Sequence, residues 1–189
     1  MLHLSMFNFC PSCASKKITF KEGKLFFCPD CEFTYYHNIA AATGCLIVVP
    51  DSNEAQERLV FLVRGKDPAA GKLDLPGGFV DIGEGALEGL YRELREEIGW
   101  APVIPEGADL SGVFTLFASF SNIYQYKGFD YNTCDMYFTV QAPNLKPEHL
   151  NPEKDEVTAI RFLTANEIDL TDFAFSSTRK AVETYLKRK

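Results

Sequence analysis

The stretch that decides how this chain is read runs from Gly78 to Trp100, GFVDIGEGALEGLYRELREEIGW. Laid on a helix of 3.6 residues per turn, Leu87, Leu90, Tyr91, Leu94 and Ile98 form one apolar stripe that must face a core. Glu93 and Glu97, four apart, fall together on the flank of that stripe, with Glu96 beside them. Ala86 and Gly89 share the flank and are small, so the carboxylates look over open space. This suits a hard divalent cation, which takes carboxylate oxygens and keeps room for water and phosphate. Pro76-Gly77-Gly78 in front lets backbone amides and carbonyls approach a ligand closely. Glu84 and Arg92 are placed to brace this loop against the helix through an ion pair. The plain alternative is a solvated face whose four-apart ion pairs are worth only about 0.2–0.5 kcal/mol each. Charge does not separate the two readings. Spacing does.

The spacing is G-x5-E-x7-R-E-x2-E-E-x-G, with Gly78, Glu84, Arg92, Glu93, Glu96, Glu97 and Gly99 at its fixed positions. A chance match of this length is on the order of one in a million at ordinary residue frequencies. The pattern resembles the Nudix box, the signature of the Nudix hydrolases; Trp100 stands where that family usually has an aliphatic residue. The resemblance implies that Glu93 and Glu97 ligate a magnesium or manganese ion and that Glu96 bridges to or completes a second. It also implies a backbone carbonyl ligand at Gly77 or Gly78, with Glu84 and Arg92 supporting the loop and orienting the glutamates. A further acid from a later loop is expected, and aligning EVTAIRF with the family's late motif nominates Glu156. Asp130, Asp135 and Glu153 compete with it. The reaction implied is hydrolysis of the pyrophosphate bond of a nucleoside diphosphate linked to another group. The alternative is a catalytically weak module of the same fold that senses a nucleotide.

Outward from the box, Ala41 to Val49 reads as a buried strand and Arg58 to Val63 as a second. Further strands are expected at Gly112 to Phe120, Tyr131 to Gln141 and Ala159 to Leu163. The helix of the box runs from about Glu84 to Ile98 and ends on Gly99. Thr164 with Glu167 is a capping box opening a short helix. Ser176 or Ser177 caps a last helix whose apolar side is Ala181, Val182, Tyr185 and Leu186. This mixture predicts an α/β fold with helices on both faces of a mixed sheet, the α/β/α sandwich of the Nudix family.

In front, Cys10-Pro-Ser-Cys13 and Cys28-Pro-Asp-Cys31 are two C-x2-C pairs fourteen residues apart. Four thiolates so spaced suit a closed, structural zinc site rather than two disulfides, and a segment this short needs such a staple. The expected division is a zinc ribbon over 1–38 and the hydrolase domain over 39–189. Ribbon, a Tyr35-Tyr36 joint, then box resembles the NADH pyrophosphatase branch of the family. That branch carries Ser-Gln-Pro-Trp after the box; here the stretch is SFSNIYQYKGFDY, Ser119 to Tyr131. Phe120, Tyr124, Tyr126, Phe129 and Tyr131 crowd this stretch, read as a loop and its borders, either as a platform on which an adenine or nicotinamide ring stacks or as ordinary strand and dimer packing.

An apolar content of 46% over 189 residues allows a real core, and a formal charge of −7 argues against broad affinity for nucleic acid or anionic membrane. Lys16, Lys17, Lys21 and Lys24 in the ribbon are nearly balanced by Glu22, Asp30 and Glu32, so no basic footprint points to nucleic acid. The ribbon is read instead as a packing or dimerisation element, giving a homodimer acting on a small nucleotide. No apolar run has the length of a membrane span, and the first residues do not resemble a secretion signal, so the cytoplasm is the expected location.

Overall fold

The structure, a computed structural model, describes residues 7–21, 24–50 and 56–188. Its contacts separate two units, Met1–Ile39 and Ala40–Lys189. The first is built on three short antiparallel strands, β1 (Thr19–Lys21), β2 (Leu25–Phe27) and β3 (Thr34–Tyr36), in the order β1-β2-β3. Among the described residues its core is Cys10, Phe26 and Cys28, with Ile18 and Phe33 against them. So little buried apolar surface cannot offset the ordering of the chain without a cross-link. The two cysteine pairs take the same backbone turn: the residue after each pair, Ala14 and Glu32, has φ of 58° and 60°.

The second unit carries a six-stranded mixed sheet. Its strands are β4 (Ala40–Pro50), β5 (Glu57–Arg64), β6 (Leu73–Asp74), β7 (Thr115–Tyr126), β8 (Phe129–Gln141) and β9 (Val157–Leu163). β4 is buried continuously from Thr43 to Val48, as its unbroken apolar run requires of a central strand. It pairs in parallel with β8 and antiparallel with β5, while β9 closes the far side of β5. Two helices cover opposite faces, α1 (Ala86–Ile98) and α2 (Ser176–Leu186). Leu90, Leu94 and Ile98 pack on Cys45 and Ile47, whereas Ala181 and Val182 pack on the alternate residues Leu46 and Val48. This is the α/β arrangement that the sequence predicted, a mixed sheet with helices on both faces. No helix among the described residues is long and apolar enough to cross a membrane.

One irregularity positions the site. β4 and β5 are bonded only from Ile47↔Val60 to Pro50↔Glu57, then splay apart. Residues 73–80 fill the wedge, paired to β5 at Leu73 and Asp74 and then to β4. Cys45 N–H donates to the Pro76 carbonyl, Thr43 N–H to the Gly78 carbonyl and Val80 N–H to the Ala41 carbonyl, at 2.8, 2.8 and 3.0 Å. Gly77 within this segment has φ of 144°, and a Cβ there would overlap the Thr43 carbonyl oxygen. Only glycine fits.

Three local expectations change. The stretch Ser119 to Tyr131, read as a loop, is a continuous hairpin in which β7 and β8 pair from Tyr126↔Phe129 onward. Lys127 and Gly128 turn it with φ of 49° and 82°, the two positive values of a type I′ turn. The strand expected at Gly112 starts at Thr115, because Leu110–Gly112 form a 3-10 turn held by the Asp109 carboxylate. The last helix is capped by Phe175 rather than a serine, and Ser177 is buried inside its first turn. The Thr164–Glu167 pair does form, Thr164 N–H donating to Glu167 Oε2 at 2.9 Å, but it opens a single 3-10 turn.

Candidate active site

α1 begins after Gly85 and ends on Gly99, whose φ of 65° forms the left-handed cap. Its apolar stripe is anchored in the core, so the opposite flank cannot rotate away from the Gly77–Gly78 turn. Arg92 organises that flank. Its Nε and Nη2 grip both oxygens of Glu84 at 2.8 and 3.1 Å, and Nη2 also donates to the Phe79 carbonyl at 3.1 Å. Its Nη1 donates to Glu93 at 2.8 Å and to Glu96 at 2.9 Å. Glu84 accepts in addition from Asp81 N–H, and these donors, Arg92 first, hold its carboxyl below the ordinary range. The loop is thereby tied to the helix by one guanidinium, as the Glu84–Arg92 spacing predicted.

Glu93 and Glu97 lie against the turn. The Glu93 carboxylate sits on Gly78, where an added Cβ would meet Oε1 at 2.6 Å. Glu97 Oε2 accepts from Gly77 N–H at 2.8 Å. Burial pushes the Glu97 carboxyl up to about 8, and the charges of Glu93, Asp74 and Glu156 add to that push against the Gly77 N–H. Burial likewise raises Glu93, with Arg92 opposing. Glu93 and Glu97, crowded by Glu156 and Asp74 at a solvent-reachable turn, form a donor set suited to a hard divalent cation. In the structure each has a stand-in partner: Arg92 for Glu93, Gly77 N–H for Glu97, Lys66 for Glu156 and Arg64 for Asp74. Their oxygens do not close to within 4.8 Å in a group of three; among the described residues only the cysteine cluster does.

A cleft of about 280 Å³ opens from this turn. Of the predicted residues it is lined by Glu93, Glu97, Gly77, Gly78 and Glu156. Glu84 and Arg92 stand behind them. Glu96 does not line it: its side chain is 60% exposed and engaged by Arg92. The Gly78 carbonyl is taken up by Thr43, leaving Gly77 as the other carbonyl that the sequence offered. Among the competing acids, Asp130 lies in the hairpin bonded to Gln125, and Glu153 does not line the cleft, though its N–H is held by the Glu97 carbonyl. Asp135 is buried at the cleft floor. Of the five aromatics, Tyr124 lines the cleft, packing edge-on to Phe79 at 5.6 Å and against Phe175 at 5.7 Å. Phe120 packs toward Tyr137, and Tyr126, Phe129 and Tyr131 are exposed on the hairpin.

Several cleft residues were not anticipated. Arg64 donates from Nε to the Pro68 carbonyl at 2.9 Å and from Nη1 to Asp74 at 3.1 Å, with its guanidinium 4.9 Å from the Phe175 ring centre. Asp74 is held in turn by Thr178 Oγ1 at 2.9 Å. The signal was present: a charged residue ending each of two apolar strands, Arg64 and Asp74, is costly to bury unpaired.

In the first unit, Cys10, Cys13, Cys28 and Cys31 bring their sulfurs within 4.8 Å of one another. The closest pairs, at 3.6 and 3.7 Å, are far longer than the roughly 2 Å of a disulfide. Cys10 is drawn down to about 7, burial opposing and the N–H groups of Cys13 and Ser12 prevailing. Cys13 goes the other way, up to about 12; the Ser15 N–H pulls it down, and the neighbouring sulfurs, Cys31 foremost, outweigh it. One thiolate suppressing the next is the tension that a tetrahedral zinc ion removes, so the cluster is compatible with zinc.

Residues 40–185 match the family model of the NUDIX domain, and the chain belongs to the Nudix family. It is 33% identical over 81 residues to an ADP-ribose pyrophosphatase of Methanocaldococcus jannaschii, covering 43% of this chain and 42% of that protein. It is 32% identical over 97 residues to an NAD-capped RNA hydrolase of Caenorhabditis elegans, covering 50% of this chain and 24% of that one. The chain thus spans less than half the length of either curated relative. Among solved structures, a NUDIX hydrolase from Nitrosomonas europaea superposes with a TM-score of 0.66 at 21% identity, over 97% of this chain and 92% of that one. The NUDIX domain of Shewanella oneidensis NrtR, solved with ADP ribose, gives 0.61 at 15% identity over 86% and 93%. At these identities the likeness is one of fold.

Proposed function

We propose that this chain is a divalent-metal-dependent pyrophosphatase that cleaves a nucleoside diphosphate linked to a second moiety, with ADP-ribose as the first substrate to test. The observation that carries this reading is the placement of Glu93 and Glu97 against the Gly77–Gly78 turn at the mouth of a cleft that also holds Arg64 and Lys66. Glu93, Glu97 and Glu156 would hold magnesium or manganese, which supplies Lewis-acid stabilisation of the diphosphate's charge. Arg92 and Gly77 N–H orient the two box glutamates, and Arg64 and Lys66 supply the cationic surface that a diphosphate needs in an acidic protein. The relatives' activities favour ADP-ribose and NAD-capped RNA ahead of NADH. The ribbon, over residues 1–38, would hold one structural zinc through its four cysteines, with the hydrolase domain over 39–189.

The test is hydrolysis of ADP-ribose in Mg²⁺, with the products separated by chromatography and NADH and NAD-capped RNA run beside it. AMP and ribose 5-phosphate should appear and vanish with a chelator. Glu97→Gln and Glu93→Gln should each lose at least a hundredfold in kcat/KM, about 2.7 kcal/mol of transition-state stabilisation. Full activity in both variants would overturn the assignment.

A further inference from the structure

The cleft continues past the glutamates to a polar floor that the proposed hydrolysis does not use. Asn122 on β7 is paired with Thr133 on β8, and Asp135, two residues further, points to the same face of the sheet. All three line the cleft. Asp135 is 8% exposed and accepts from three hydroxyls: Thr133 Oγ1 to Oδ1 at 2.5 Å, Ser177 Oγ to Oδ2 at 2.6 Å and Tyr137 OH to Oδ2 at 3.4 Å. A carboxylate offers about four acceptor positions, so Oδ2 is filled and Oδ1 retains one. The Asn122 side chain makes no hydrogen bond to any described residue. Its amide therefore brings a donor and an acceptor to the cleft, side by side and uncommitted. Beside it on the same face, Tyr124 packs against Phe175 with the rings tilted by 46°. Those rings already touch, so a planar ligand lies against Tyr124 rather than between the two.

We propose that this end of the cleft reads adenine, through the Asn122 amide and the free position of Asp135 Oδ1, with the base resting on Tyr124. An amide matches adenine's adjacent amine donor and ring-nitrogen acceptor in bidentate fashion. The second amine hydrogen suits the single remaining acceptor on Asp135. Guanine and hypoxanthine fail at Asp135. Turned over, the amide can pair with their N1–H and O6, but O6 then faces Asp135 Oδ1, and a carbonyl oxygen beside a carboxylate acceptor has no hydrogen to give. The discrimination therefore lies at the 6-substituent, with Asn122 holding the base in register against it.

The inference rests on the pyrophosphatase reading for its kinetic arm but not for its binding arm. In the binding arm, calorimetry in chelator compares AMP with IMP, on the unmodified protein and on Asn122→Ala and Asn122→Asp. AMP should bind at least tenfold more tightly than IMP, and both variants should bring the ratio to within threefold of unity by weakening AMP. In the kinetic arm, kcat/KM for ADP-ribose should exceed that for its hypoxanthine analogue by a similar factor, and Asn122→Ala should erase the difference. Equal affinities for AMP and IMP, or a preference untouched by both variants, would overturn the adenine site. Hydrolysis of both diphosphates with equal kcat/KM would overturn it too and leave the hydrolase reading standing. Discrimination of AMP from IMP without any hydrolysis would sink the hydrolase reading and support the adenine site.

Discussion

Replacing Glu97 with glutamine should abolish the proposed chemistry and, in the absence of divalent metal, make the protein more stable at alkaline pH. In the folded chain burial lifts this carboxyl from 4.5 to about 8, with Glu93, Asp74 and Glu156 adding to the cost of its charge. The folded state then binds this proton more tightly than the unfolded chain does. Between pH 4.5 and 8 unfolding releases it, so stability falls as pH rises and the full loss is reached above about pH 8. A shift of this size corresponds to about 5 kcal/mol at 1.36 kcal/mol per unit. Part of the Glu97 surface still meets solvent, so about 1–3 kcal/mol is the expected gain after screening. Glutamine copies the protonated form and its amide oxygen still accepts from Gly77 N–H. In chelator at pH 8.5, Glu97→Gln should therefore melt about 3–10 °C above the unmodified protein, at 2–4 °C per kcal/mol for a chain of this size. At pH 5 the two should melt together. Adding Mg²⁺ should raise the melting temperature of the unmodified protein more than that of the variant, because only a ligand-binding native state gains from mass action. A variant less stable than the parent in chelator at pH 8.5, or a difference that ignores pH, would refute this account.

Gly77→Ala changes no carboxylate, yet it should cost about 3 kcal/mol or more of stability and at least a hundredfold in ADP-ribose hydrolysis, read by thermal melts and kcat/KM. Its Cβ combines a forbidden φ with overlap of the Thr43 carbonyl; parental activity and stability would show that the turn tolerates movement. Cys28→Ser should abolish the zinc binding proposed for the ribbon, measured by metal analysis, while hydrolysis stays within about fivefold, since the cysteines make their own site. Zinc retained at one per chain in the variant would remove Cys28 from the ligand set.

What the sequence revealed was local in origin. The α1 stripe, the Glu84–Arg92 brace and the Gly99 cap sit within one helix and its loop, where spacing alone determines which side chains meet. The β7–β8 hairpin was obscured because its aromatic density suggested a specificity loop, whereas Lys127-Gly128 was the turn signal. Arg64, Asp74 and Asn122 could not be grouped with one another, or with the competing acid Asp135, for a different reason. Each looks like an ordinary strand residue, and only the splaying of β4 from β5 and the register Asn122↔Thr133 bring them to one cleft. Register is a tertiary property, set by the whole sheet rather than by any window of residues.

The seam formed by Cys45, Thr43 and Val80 also has a kinetic meaning. Amides closed into a central strand exchange with solvent only in the rarest openings of a protein, those close to global unfolding. The backbone that seats the glutamates therefore does not assemble around an arriving ligand; it is already in place whenever the domain is folded. The excursion from Gly65 to Lys72 on the opposite wall is different, bonded mainly across its own base through Arg64 and Lys72 and to the Glu156 carbonyl. The seat of the glutamates therefore does not depend on how that excursion is arranged.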